Sequence, residues 1–219
     1  HNYTSHQKTK GLGDFGAGPD HKGLIVHSAI AVTPKGIALG LLDQFIWTRD
    51  PEERGKHAEK RQKPIDEKES CKWLQSMDNS SQFGIPKGIR LVHIGDREAD
   101  VYEFFDHAMT NQQDFLVRVV QNRITTEACK RFDKVKNEPP AGQLVVEIPR
   151  DTRRNLPKRE ATLEIRYSWV HIKAPANTPK KFIKNGTVAL SIVQVSEINP
   201  PKGIEPIEWD LATSMDIGS

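Results

Sequence analysis

The stretch Val92-His93-Ile94-Gly95-Asp96-Arg97-Glu98-Ala99-Asp100 decides how this chain folds. The apolar, β-branched run 89–94 reads as a buried strand, and it passes through Gly-Asp straight into a charged helix start. Asp96 is thereby placed at the carboxyl end of a strand, where open α/β sheets present their chemistry. A carboxylate beside the electropositive start of a helix stays ionised and suits a hard divalent cation. A Gly-Asp before a helix is also a common N-cap without chemistry, and the local sequence leaves both readings open for Asp96. Asp100, one turn further, reads as a further metal ligand or as a solvated first-turn carboxylate. His93 alternates away from Asp96 and is expected to pack rather than to bind.

Upstream, residues 24–33 and 37–48 read as two strands joined by the turn Pro34-Lys35-Gly36, a hairpin expected to continue from a strand before residue 1. Segment 49–64 is charged, nearly free of apolar residues, and expected to be mobile. A helix over 66–77 follows, with Asp66 as its cap and Trp73, Leu74 and Met77 as its apolar stripe. Downstream of Asp96, a helix over 98–108 packs Val101, Phe104, Phe105 and Ala108 on a sheet, and 114–120 is the next strand. Hairpin, helix, strand, helix, strand is an α/β order.

After Gln121 the character changes. A short helix over 126–136 precedes strand-like runs at 143–148, 161–172, 188–197 and 207–213, with Pro-, Lys- and Arg-rich connections. Alternation through Ala161-Thr162-Leu163-Glu164-Ile165-Arg166-Tyr167 predicts antiparallel strands with one wet face. The expected division is a core over 1–121, a β-rich module over 122–213 and a tail over 214–219.

With 219 residues, the chain can build one core or a core with an insertion. It is 36% hydrophobic and 28% charged, with mean hydropathy -0.60, and no run is long and apolar enough to read as a membrane span. The first residues lack the apolar core of a signal peptide. Cys71 and Cys129 form no metal-binding spacing and read as buried or idle thiols. The net charge of +3 is unevenly spread: residues 115–186 hold 16 Lys+Arg against 7 Asp+Glu, and the remainder 16 against 22. A basic segment with an acidic remainder fits nucleic-acid contact and metal coordination, and fits a merely solvated basic surface equally well.

Three stretches carry a resemblance: Gly95-Asp96-Arg97-Glu98-Ala99-Asp100, Asp66-Glu67-Lys68-Glu69-Ser70-Cys71-Lys72-Trp73-Leu74 and Glu197-Ile198-Asn199-Pro200-Pro201-Lys202-Gly203. In this order and spacing they resemble signature stretches of the bacterial cut-and-paste DDE transposases that excise their element through DNA hairpins. Asn2-Tyr3 with His6 is similar to the segment just after that family's first catalytic aspartate. The resemblance implies a ribonuclease H-like α/β fold, a mixed sheet with helices, interrupted by an antiparallel β-rich insertion domain. It implies three carboxylates holding two divalent ions, Mg²⁺ with Mn²⁺ as substitute, for phosphodiester hydrolysis and strand transfer. Asp96 matches the second acid. The first is expected before His1, and the third beyond Ser219 in a Tyr-Arg-Glu-Lys signature. The chain is then a central fragment lacking the first strand and last helix of the core, inactive by itself.

Two further residues carry over. Arg118 matches an arginine that contacts DNA near the scissile end, where a planar guanidinium suits phosphate; as a plain residue it is a surface strand arginine. Trp209 matches a tryptophan that stacks on a flipped base during hairpin formation, whereas its alternation with Ile207 and Leu211 also fits core packing. Arg153, Arg154, Lys158, Arg159, Lys180, Lys181 and Lys184 are expected to track phosphates by charge. Implied partners are transposon-end and target DNA, with a homodimer in the synaptic complex of the full-length protein. The implied location is the bacterial cytoplasm, at the nucleoid. Two alternatives stand beside this: a DNA-binding or regulatory truncation product that does not cleave, and a ribonuclease H-like nuclease unrelated to transposition.

Overall fold

A computed structural model describes residues 1–3, 5, 8–14, 21–50, 52, 63–176, 178 and 183–217. They form a mixed α/β protein whose chain divides into two compact units, His1–Ile89 and Arg90–Ser219.

In the first unit a short pair, β1 (Gly13–Asp14) and β2 (Lys22–Gly23), precedes the expected hairpin of β3 (Ile25–Val32) and β4 (Ala38–Trp47). Its turn closes through Thr33 N–H to Ile37 O at 2.9 Å, with Gly36 at φ +80°, a conformation that costs a side chain little only when there is none. Helix α1 (Cys71–Ser81) lies on one face of the hairpin. Trp73 meets the His27 ring edge-on at 4.6 Å, Asn79 donates to Asp43 Oδ1 at 3.1 Å, and Met77 is buried. The opposite face leaves Ile30, Leu41 and Ile46 exposed.

The helix expected at 66–77 starts later than its sequence suggests. Residues Ile65–Glu67 form a single 3₁₀ turn, Lys68 is extended, and no side chain caps α1. Asp66 therefore lies inside the turn instead of capping the helix. Glu69 is drawn off to an ion pair with Arg49, and burial of Ile65 anchors the turn ahead of it. Segment 49–64 falls largely outside the described residues.

The second unit is built on one six-stranded sheet: β5 (Val92–Gly95), β6 (Asp114–Arg118), β7 (Gly142–Ile148), β8 (Arg159–Lys173), β9 (Thr187–Ile198) and β10 (Glu208–Thr213). Its order is β5-β6-β10-β9-β8-β7, parallel between β5 and β6 and antiparallel elsewhere. The strands expected to form a separate module thus extend the sheet that carries Asp96. The compact units divide after Ile89, and the strands that follow Gln121 continue the sheet of the second unit.

One face of the sheet is covered from β6 to the second half of β8. Phe115 and Val117 of β6, Ala212 of β10, Leu190 and Ile192 of β9, and Val170 and Ile172 of β8 are all buried there. Helices α2 (Tyr102–Thr110) and α3 (Arg131–Lys136) supply the second layer. From α2 come Phe104 and Phe105, whose rings lie 5.2–5.9 Å from Phe115 in tilted and edge-on contacts. The helix expected over 98–108 is broken in two: Arg97–Ala99 is a 3₁₀ turn, Asp100 leaves helical geometry (ψ 61°), and Val101 is extended before α2 begins. The helix expected over 126–136 shrinks to α3, because Ala128 sits at φ +62° and Ile124 bridges to Lys130. On β8, burial changes sides midway: Ala161 and Leu163 are covered on one face, Ser168, Val170 and Ile172 on the other.

Candidate nucleic-acid interface

Strand register sets out the candidate site. Gly95 pairs with Val117, so Asp96, one residue beyond β5, stands level with Arg118 at the carboxyl ends of two parallel strands. Arg118 pairs with Leu211 on the next strand, and Trp209 lies two residues away on the same face of β10. The Arg118 guanidinium carbon is 5.7 Å from the Trp209 ring centroid, a cation–π contact worth about 0.5–1 kcal/mol at an exposed site. Trp209 is 49% exposed, so the core-packing reading of this residue is corrected: strand alternation does align it with Leu211, but the face they share is open. Arg118 and Trp209 thus occur on neighbouring strands of one face, with Asp96 just beyond the end of the strand beside them. Arg118 is half-buried, and no carboxylate among the described residues pairs with it.

Asp96 is exposed and caps the 3₁₀ turn: its Oδ1 accepts the Glu98 N–H at 2.9 Å. Asp100 is neither a ligand nor solvated. It is 1% exposed, and its Oδ2 accepts the N–H groups of Val120 and Gln121, both at 2.8 Å, and Arg131 Nη2 at 2.9 Å. Its Oδ1 takes Arg123 Nη2 at 3.2 Å. This carboxylate ties the Asp96 turn to the end of β6 and to α3. No sequence signal marks it, because its partners come from 20 to 31 positions downstream. His93 is half-buried, as expected of a packing residue, and lies near Asp114, whose carboxyl Arg90 holds below the usual range.

A divalent ion of the Mg²⁺ type takes several oxygen ligands. Among the described residues no three His, Cys, Asp or Glu side chains converge, and Asp96 offers a single carboxylate already engaged through one oxygen. These residues by themselves do not fit a metal centre, and no metal-borne step is assigned to them.

The Glu197–Gly203 stretch closes the β9–β10 hairpin. Glu197 is 8% exposed, Arg159 grips both its oxygens, and Oε2 also accepts the Ile207 N–H at 3.1 Å. Asn199 (φ +55°) and Gly203 (φ +82°) make the reversal, with Ile204 N–H to Pro201 O at 3.0 Å. The turn thereby sets the register of the strand that presents Trp209. Arg159, expected to track phosphate, is engaged by the Glu197 carboxylate. Lys158 pairs with Glu147 at 2.7 Å. Asp151 Oδ1 accepts the backbone N–H groups of Arg153 and Arg154, leaving their exposed side chains directed by a turn. Lys184 donates its backbone N–H to Asp106 Oδ2 at 2.7 Å. Lys180, Lys181 and His6 lie outside the described residues.

Arg159 holds the Glu197 carboxyl below the ordinary carboxylate range, with the Ile207 N–H acting in the same direction. A depressed folded-state pKa contributes stability that is present above the unfolded value, about 4.3, and lost as pH falls through the folded one. Acid unfolding is therefore expected to start below about pH 4.3 and to be shallower in Glu197→Gln. Superimposable acid limbs for the two proteins would contradict this.

Cys71 and Cys129 are both free thiols. Among the described residues no helix is long and apolar enough to cross a membrane. No family model matches the chain.

Proposed function

We propose that this chain is the central part of a DDE-type DNA transposase, with a ribonuclease H-like core and a β-rich insertion, which in full-length form cleaves DNA and transfers strands through hairpin intermediates. The reading is carried by the contact of Arg118 with Trp209 on neighbouring strands, level with the end of β5 that Asp96 follows. Each had a bland alternative, and their convergence favours a shared site. Arg118 would grip a phosphate by its planar fork, and Trp209 would stack on a base drawn out of the duplex. Asp96 would be one of several carboxylates holding Mg²⁺ or Mn²⁺, the others lying outside the described residues. In the full-length protein, two subunits would bring two transposon ends together before attack on target DNA.

The test is fluorescence anisotropy of this chain with two DNA hairpins, one carrying an unpaired base next to its tip and one fully paired. Trp209→Ala is expected to weaken the first about tenfold and leave the second unchanged, as loss of one stacked base would. Arg118→Ala is expected to weaken both and to lower the salt dependence by about one phosphate contact. Equal affinity of all three proteins for both hairpins would sink the proposal.

Engagement of Asp96 by the Glu98 N–H favours a second reading, a DNA-binding product of the same family that does not cleave. Calorimetric titration with Mn²⁺ separates the two. Uptake by a chain extended at both ends that disappears with Asp96→Ala supports the nuclease, and DNA binding without such uptake supports the binding product.

A further inference from the structure

The open face continues well past Trp209. Arg118 pairs with Leu211, Leu211 with Val193 and Val193 with Tyr167, so these four residues form one level row over β6, β10, β9 and β8. At about 4.8 Å per strand the row runs roughly 14 Å. Trp169 stands two residues beyond Tyr167, about 6.7 Å along the same strand face. Outward positions from 167 to 173 read Tyr167, Trp169, His171, Lys173, whereas the inward Val170 and Ile172 are completely buried. Tyr167 is 37% and Trp169 45% exposed, while the intervening Val193 and Leu211 are only half-exposed.

We infer that Tyr167 and Trp169 form a second base-stacking station, which receives single-stranded DNA leaving the Arg118–Trp209 pair. This rests on the DNA reading above. The exposed rings on this face have a cation at each end of the track: Arg118 beside Trp209, and Lys173 beyond Trp169. Exposed aromatic rings flanked by cations suit unpaired bases, because every base has a π-face and the backbone between bases is anionic. A duplex hides its base faces and gains nothing from these rings. The station is therefore selective for unpaired DNA without reading its sequence, which fits a strand freed beside an extruded base.

The test uses this chain and a fluorescein-labelled twelve-nucleotide oligo-dT, with a twelve-base-pair duplex as control. Tyr167→Leu/Trp169→Leu keeps the strand apolar but removes both rings, and Tyr167→Phe/Trp169→Phe keeps rings. The leucine pair is expected to bind oligo-dT at least tenfold more weakly, with duplex affinity within twofold and an unchanged melting midpoint. The phenylalanine pair is expected to stay within threefold of the parent. Unchanged oligo-dT affinity in the leucine pair, or equal losses in both pairs, overturns the stacking station. If Trp209→Ala still weakens the hairpin with an unpaired base, the transposase reading survives that failure. If the parent chain binds neither DNA, both fall together.

Discussion

Replacing Asp100 with alanine is expected to destabilise the second unit by about 3–5 kcal/mol, the usual cost of removing one partner from a buried charge pair. Total stability of a domain is only about 5–15 kcal/mol, so this single change brings the unit close to unfolding. The reason lies in what remains. Arg131 is completely buried, its Nε and Nη1 already lack a partner among the described residues, and Asp100 is its salt-bridge partner at 2.9 Å. Burial pulls the Arg131 pKa down to about 10, with Asp100 pulling the other way, so at neutral pH the guanidinium remains charged. Without the carboxylate that charge is stranded, together with Arg123 and the N–H groups of Val120 and Gln121. Asp100→Asn keeps the volume but turns donors toward donors and is expected to lose a comparable amount. Asp100→Leu with Arg131→Met, which removes both charges, is expected to recover much of the loss. Urea unfolding gives the values; a loss under 1 kcal/mol for Asp100→Ala would mean that the charges can reach water.

Phe105→Ala is the second large effect, at about 3–5 kcal/mol. Phe105 has no exposed surface, and its ring touches those of Phe104 and Phe115 at centroid distances of 5.9 and 5.2 Å. Truncation removes apolar area from the joint between α2 and β6 and leaves a cavity that two rings cannot refill without leaving their rotamers. Phe105→Leu keeps most of the volume and is expected to cost about 1.5 kcal/mol or less. The thermal midpoint of the alanine variant should fall by roughly 10 °C. Equal shifts for the alanine and leucine variants would show that the site collapses freely and that the ring cluster contributes little.

Local periodicity carried much of this architecture, and long-range partners account for what it missed. Alternation and turn residues located the β3–β4 hairpin and the strands that became β5 to β10. The helices were less legible. Asp66 has the right chemistry for a cap, yet Ile65 is buried and Glu69 is claimed by Arg49, both for reasons remote in sequence. Asp100 resembles an ordinary first-turn acid, and only the arrival of Arg123 and Arg131 makes it interior. At the site, Arg118 and Trp209 could be picked out one by one, but their shared face depends on β10 lying beside β6. Tyr167 and Trp169 carry no such mark: the run Tyr167-Ser168-Trp169-Val170 shows that the two rings share a face, but alternation gives no sign of which face helices will cover.

The strand order also dictates a schedule for synthesis. Strand β6 pairs with β10, so position 118 must wait for position 211 before that side of the sheet can zip. At about 5–20 residues per second, a ribosome needs roughly 5–20 seconds to supply the missing strand. During that interval Phe115 and Val117 sit on a raw strand edge, open to the wrong neighbour. Slowed elongation between β6 and β10 should therefore raise the fraction of nascent chains that aggregate, whereas the hairpin of the first unit, complete before β6 is made, should not be affected.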